Sequence, residues 1–312
     1  NFNGMIKQGN TDDARQGQKI IIGPWKHDLS VSTRLGQLDY GYQSMVNLDE
    51  LELEWFDYWL KGVDNGVLSA PPIQIFVMGE NIWRGEYEWP LARTQYKNYY
   101  LHSNGDANSL MSSGVLSEVL PEDESVDRYS YDPENPVPTS GGSFHDDTVM
   151  KVGAWDQRAI EARQDVLVYT TDVLEEDVEV TGSVVTKIHA SSSAPDTDFI
   201  TRLVDVYPDG RAMFVCEGVI RARYRESIEN PTLMTQAEIY EFVIPMEVTS
   251  NLFKKGHRIR LDITSSNFPR NDRNLNTGHP IGIDSKVAVA EQTVYHSSRH
   301  ASHIVLPTIP RE

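Results

Sequence analysis

The sequence predicts a mainly β protein: a β-sandwich of the jelly-roll type, preceded by a short β-loop-α unit. Three observations predict it. After about residue 70, apolar residues alternate with a period of two through about ten segments. Turn chemistry separates those segments, as at Pro208-Asp209-Gly210, Asn230-Pro231 and Lys255-Gly256. Long helical patterns occur only before residue 70. At roughly 150 residues per domain, 312 residues suggest two, with boundaries at 1–70 and 71–312.

The N-terminal region reads as follows. "QKIIIGPW" is a continuous apolar run stopped by Gly23-Pro24, the pattern of a strand buried on both faces. In "NLDELELEWFDYWL", Leu48, Leu51, Trp55 and Trp59 fall at helical spacing, and Phe56 and Leu60 widen the stripe. Asn47 is placed to cap this helix, Asp49, Glu50 and Glu52 suit its positive end, and Gly62 can end it in a left-handed conformation. Strand, long loop and helix make one terminal unit of a parallel sheet whose other strands lie elsewhere. The opening "NFNGMIKQGN" has neither an initiator Met nor the features of a leader, so an internal cut, hence a fragment, is expected.

Ten segments then read as strands: "PIQIFVMG", "KNYYLHS", "DVLVYTTDVL", "VEVTGSVVTKIHAS", "DFITRLVDVYPDG", "AMFVCEGVIRARYR", "EIYEFVIPM", "RIRLDITSS", "QTVYHSS" and "SHIVLPTI". So many short strands with turn residues between them favour a jelly roll. Residues 105–147 lack periodicity and are rich in Ser, Pro, Gly and acid, which predicts a long ordered loop or lid. The aromatics of "NIWRGEYEWPLART" are expected to pack this linker onto the sandwich.

Charge narrows the function. A net charge of −18 opposes nucleic acid, whose phosphates demand Lys and Arg, and opposes anionic membranes. No apolar run approaches the ~20 residues of a membrane span. The single cysteine, Cys216, excludes an intrachain disulfide framework, and its alternating context predicts a buried, inert thiol. Location is open between cytoplasm and secretion, with a lean to the cytoplasm.

His27 is the leading candidate for chemistry. Side chains at the C-terminal end of a parallel strand line the crevice where open α/β sheets bind ligands. In α/β-hydrolases the triad histidine follows the last strand, after the nucleophile and the acid in chain order. An imidazole with an ordinary pKa near 6.5 takes and returns a proton at neutral pH. By local pattern alone, a working acid/base and a plain loop histidine both remain open.

Longer motifs bear on the choice. "IIIGPWKHD", "YWLKGVDNG", "PPIQIFVMGENIWRGEYEWPLART", "YYLHSNGDANS", "DTDFITRLVDVYPDGRA", "GVIRARYRES", "NFPRNDRNLNTG" and "VYHSSRHASHIVLP" together resemble the cocaine esterase / X-Pro dipeptidyl-peptidase (CocE/NonD-type) family of serine hydrolases. That group includes α-amino-acid ester hydrolases and glutaryl-cephalosporin acylases. The resemblance covers nearly the whole chain. It implies the end of an α/β-hydrolase domain followed by a jelly-roll (galactose-binding-like) domain. It also implies hydrolysis of esters, amides or short peptides through an acyl-serine, with no cofactor and no metal. His27 matches the family's catalytic histidine. "PTSGGSFHDD" resembles a jelly-roll loop that the family places against the active site, which would make Phe144 a wall of the acyl pocket, with Gly141 and Gly142 permitting close backbone approach. The same loop also reads as an ordinary surface loop with a packed Phe.

One departure is large: no Gly-x-Ser-x-Gly occurs, so the nucleophile elbow is absent. The family's acid precedes its histidine by roughly thirty residues, which places it before Asn1. Asp12, Asp13 and Asp28 do not resemble it in position. This chain would hold one triad member of three and be inactive without an N-terminal hydrolase portion as partner; a homo-oligomer is also open. Among other clusters, His145-Asp146-Asp147 are too close in sequence to converge on a metal. His296, His300 and His303 lack the Glu of a metalloprotease helix and are expected around a hairpin turn. Asp196, Asp198, Asp205 and Asp209 lack EF-hand spacing. Arg270, Asp272 and Arg273 read either as a network holding a long loop or as a docking surface. A different class of function stays in view: a carbohydrate-binding or structural β-sandwich with no catalytic role.

Overall fold

The computed structural model describes residues 1–27, 29, 32–110, 113–144 and 148–311. It is mainly β. A twelve-stranded sheet dominates, with a three-stranded sheet and a two-stranded ribbon before it.

The large sheet closes on itself. Starting from Tyr240–Phe253, its order runs through Ala212–Arg221, Asp198–Val206, Arg258–Thr264, Leu167–Thr170, Val115–Ser117, Gln95–His102, His303–Ile309 and Val178–Ser192, which pairs back with Tyr240–Phe253. Two seams in this ring are one residue pair wide, Gly218 with Met246 and Val115 with Thr170. They flatten the barrel into two layers, a β-sandwich. Phe199, Leu203, Phe242, Ile244, Leu101, Leu261 and Ile304 fill the space between them. All ten segments expected to be strands are strands, but Ile73–Val77, from "PIQIFVMG", joins the three-stranded sheet instead of the sandwich.

The stretch 105–147 holds two strands that its composition did not announce, Val115–Ser117 and Asp127–Tyr131. In the second, Asp127, Tyr129 and Tyr131 are buried: a period-two pattern carried by tyrosines and a carboxylate rather than by aliphatics. The Asp127 carboxylate accepts hydrogen bonds from Ser103, the Ala107 amide and the Tyr169 hydroxyl, with His296 Nε2 at 2.8 Å. The chain then crosses the outer face of the Asp198–Val206 layer, where Val137, Ile160, Val166 and Val168 form a second small core. Every residue of Asp198–Val206 is buried, with Asp198 and Arg202 held by Arg221 and Glu217 and Val204 and Val206 packed with Ala212.

The N-terminal region is built differently. Ile20–Ile22 pairs in parallel with Ile73–Val77, which forms a hairpin with Ile82–Glu86. The strand is parallel, as expected, but it is half-buried to exposed rather than buried on both faces. Helix Leu48–Lys61 is capped by the Asn47 side chain on the Glu50 amide and ended by Gly62 at φ 70°. Leu48, Leu51, Trp55 and Trp59 are half-buried as the spacing predicts; Phe56 and Leu60 are exposed at 51% and 77%. The Trp59 ring lies where a Cβ on Gly17 would fall, so the helix rests on the short helix Asp12–Gln16 and the residue after it. The hairpin is riveted to the sandwich. Met78 and Ser250 share a backbone hydrogen bond, as do Leu252 and Met78, and Arg84 links Glu86 to the buried Glu179.

Candidate active site

The His27 turn is set by aromatic packing. Ile20–Ile22 ends at Gly23, where a Cβ would lie 2.5 Å from the Trp25 ring; only glycine lets that indole fold back over the strand end. Trp25 donates its indole N–H to the Ser44 carbonyl at 2.8 Å, and Trp83 donates to the neighbouring Gln43 carbonyl at 2.6 Å. The two indoles meet at 5.6 Å, and Trp83 meets Phe76 at 5.3 Å. This corrects one expectation. Trp83, from "NIWRGEYEW", packs on the Trp25 turn and the hairpin rather than on the sandwich, because its strand belongs to the three-stranded sheet.

A cavity of about 670 Å³ lies where the N-terminal unit meets the sandwich. Its lining brings together Trp25, Lys26 and His27 with Gly142, Ser143 and Phe144. The two candidates named by the sequence, His27 and Phe144, thus line one space. His27 is exposed and Phe144 half-buried.

Backbone bonds tie the two segments together. The ribbon of Arg34–Leu35 and Leu38–Asp39 follows the His27 turn. The Gln37 amide donates to the Ala154 carbonyl at 2.8 Å, and a Cβ on Gly36 would lie 2.3 Å from that same oxygen. Gly153, next in line, exchanges hydrogen bonds with Gly142 at 3.0 and 2.8 Å. Gly36, Gly142 and Gly153 all have positive φ.

The far wall comes from the sandwich and includes Asp205, Tyr207, Glu247 and His257. His257 Nδ1 lies 2.8 Å from Asp205 Oδ1, and the Tyr207 ring packs on the imidazole at 4.4 Å. Burial raises the Asp205 carboxyl above its usual range, opposed by the His257 contact; burial also pushes the Tyr207 hydroxyl up to about 12. The sequence singled out Asp205 only as one of four scattered aspartates and gave no role to His257. Register was the missing signal: Asp205 pairs with Ile259, two residues beyond His257, on the adjacent strand.

The other candidates fall elsewhere. Asp12 pairs with Arg15, and neither Asp12 nor Asp13 lines the cavity. Asp28, His145, Asp146 and Asp147 lie outside the described residues. His296 is buried against Asp127, and Ser297 pairs with His300 across the expected hairpin. Asp196 and Asp198 are held by Arg223 and Arg221, with Asn274 donating to both. Asp209 takes Arg211. Cys216 is buried, which pushes its thiol well above the ordinary range. In the loop after the Arg258–Thr264 strand, Arg270 binds Glu217 and Glu247, Arg273 donates to the Pro133 carbonyl, and the Asp272 carbonyl accepts from Arg221.

Sequence and structure comparisons place this geometry among known proteins. Residues 65–305 match the family model described as the X-Pro dipeptidyl-peptidase C-terminal non-catalytic domain. Cocaine esterase of Rhodococcus sp. (strain MB1 Bresler) is 43% identical over 300 residues, which are 94% of this chain and 52% of the esterase. The chain belongs to the cocaine esterase / X-Pro dipeptidyl-peptidase (CocE/NonD) family. Solved structures agree. An α-amino acid ester hydrolase superposes with a TM-score of 0.84 at 27% identity, over 98% of this chain and 52% of that one. An aminopeptidase from a marine sediment Thaumarchaeota archaeon gives 0.79 at 25% identity, over 94% and 49%. The chain spans about half the length of the curated relatives it matches. His27 precedes the stretch matched by the non-catalytic domain model, whereas Phe144 lies within it. No helix among the described residues is long and apolar enough to cross a membrane.

Proposed function

We propose that this chain is the C-terminal part of a serine hydrolase that cleaves ester or amide bonds, including those of short peptides, through an acyl-serine intermediate. Residues 1–70 supply the last strand, loop and helix of an α/β-hydrolase domain, and 71–312 carry its jelly-roll domain, whose leading hairpin Ile73–Glu86 pairs with Ile20–Ile22. The observation that carries this reading is the shared cavity: His27 and Phe144, far apart in sequence, line one space between the two regions.

In the mechanism, His27 takes the proton of a serine hydroxyl supplied by the preceding hydrolase portion as that oxygen attacks the acyl carbon. The same imidazole returns the proton to the leaving alcohol or amine, then assists water against the acyl-enzyme. Phe144 walls the acyl group. The hydrolase portion also brings the carboxylate that orients His27 and the oxyanion donors. The exposed Phe56, Leu60 and Ile22 give it an apolar surface to cover.

A serine-reactive fluorophosphonate tests the proposal on the full-length protein and its His27→Ala form. Strong labelling of the first with little of the second is expected. Equal labelling, or none in either, removes the hydrolase reading and leaves a binding or structural sandwich.

A further inference from the structure

We infer that Arg270 is a positioning residue that sets acyl-group preference by holding the Gly142–Phe144 segment against the His27 cavity. The inference rests on the reading of Phe144 as a wall of the acyl pocket.

The guanidinium uses its fork on three groups at once. Nη1 donates to the Ser143 carbonyl at 2.8 Å, one peptide before Phe144. Nη2 donates to Glu247 at 2.7 Å, and the Ser143 hydroxyl donates to the same Glu247 oxygen. Nε lies 2.8 Å from Glu217. Lysine has no planar fork with which to satisfy these directions together.

Its anchor is rigid. Glu217 is buried and accepts from Asn267 at 3.0 and 2.9 Å and from the buried Arg202 at 3.2 Å. The Arg270 amide also donates to Thr139 Oγ1 at 3.1 Å, just upstream of the glycines. Gly141 and Gly142 have φ of 89° and 117°, a region where glycine has no intrinsic preference for one geometry. Gly153 holds Gly142 itself through two backbone hydrogen bonds, and the arginine holds the next peptide, Ser143, from which Phe144 follows. A Cβ on Gly142 would lie 3.0 Å from Arg270 Nη1, so the guanidinium sits directly on the segment. Glu247 lines the cavity alongside Ser143 and Phe144, so the clamp and the wall share one surface.

The test compares kcat/KM for the acetate and benzoate esters of one phenol in the full-length enzyme. Phe144→Ala should move the benzoate/acetate ratio by about tenfold, the size that a pocket wall commonly contributes. Arg270→Ala should move it in the same direction by a comparable factor, with the double variant no further displaced than Phe144→Ala alone. Arg270→Lys should recover part of the ratio. Arg221→Ala, which removes another arginine paired to a buried aspartate, should lower Tm without moving the ratio. If Arg270→Ala fails to fold, Arg270→Lys and Glu247→Gln should each give a smaller shift in the same sense. An unchanged ratio in Phe144→Ala overturns the pocket reading and this inference with it. A shift in Phe144→Ala with none in the Arg270 and Glu247 variants overturns this inference alone. A ratio that moves equally in Arg221→Ala reduces Arg270 to general stability and also overturns it.

Discussion

Strand Asp198–Val206 is buried at all its positions, whereas helix Leu48–Lys61, with an apolar stripe of its own, has no buried residue. The difference is one of partners. The strand has sheet neighbours on both edges, the main core on one face and further buried partners, Ala212 and Glu217 among them, for its other side chains. The helix rests on Gly17 and the short helix before it, and its Leu53, Phe56 and Leu60 stay exposed. A closed sandwich satisfies itself, while the β-loop-α unit covers only part of its apolar stripe and leaves Phe56 and Leu60 exposed. The residue proposed for proton transfer sits in the open region and the proposed specificity wall in the closed one. Each is therefore sensitive to different perturbations.

The sharpest contrast comes from core truncation. Phe199→Ala, in the sandwich core against Phe242 at 4.8 Å, should lower unfolding free energy by about 3–5 kcal/mol in urea titration. A loss below about 1 kcal/mol would mean that the sandwich is not the stable unit described.

A second prediction concerns the outer face of the closed layer. Glu161 and Asp262 are buried there with Arg260, which lies 2.5 Å from Glu161. Burial raises both carboxyls. For Glu161 the nearby Asp262 adds to it, and for both the arginines oppose it. The folded state thus keeps these protons at pH values where the unfolded chain has lost them. Stability should fall as pH rises from the ordinary carboxylate range toward neutrality, by up to about 1.4 kcal/mol per pH unit for each group. Glu161→Gln should flatten that decline in urea midpoints measured from pH 5 to 8; an unaltered slope would show that the pair does not control it.

In the open region effects are smaller. Asn47→Ala removes the helix cap and should cost about 1 kcal/mol of helix stability. This should appear as faster amide exchange across 48–61 with little change in sandwich protection. Phe56→Ala should change stability by less than about 0.5 kcal/mol in this chain, as at most exposed sites. A larger loss would mean that something in this chain covers that face. In the full-length protein the same substitution should be costly if the hydrolase portion packs there.

Local rules made much of the fold readable. The Asn47 cap, the Gly62 stop and the Pro208-Asp209-Gly210 turn are decided within a few residues, so sequence suffices for them. Strand Asp127–Tyr131 went unread because its buried face is made of tyrosines and a carboxylate, and only neighbours distant in sequence satisfy them. Trp83 was placed on the wrong partner because aromatic residues announce burial but not against what.

The amino-acid order by itself determined the alternation of the sandwich strands, the helix and its ends, the GPWKH turn and the glycine pair at 141–142, because steric and hydrogen-bonding preferences of adjacent residues act without regard to the rest of the chain. Tertiary structure alone decided that His27 and Phe144 share a cavity, that His257 meets Asp205 and that Arg270 clamps Ser143. Those contacts join residues far apart in sequence, and strand register and loop closure set their distances.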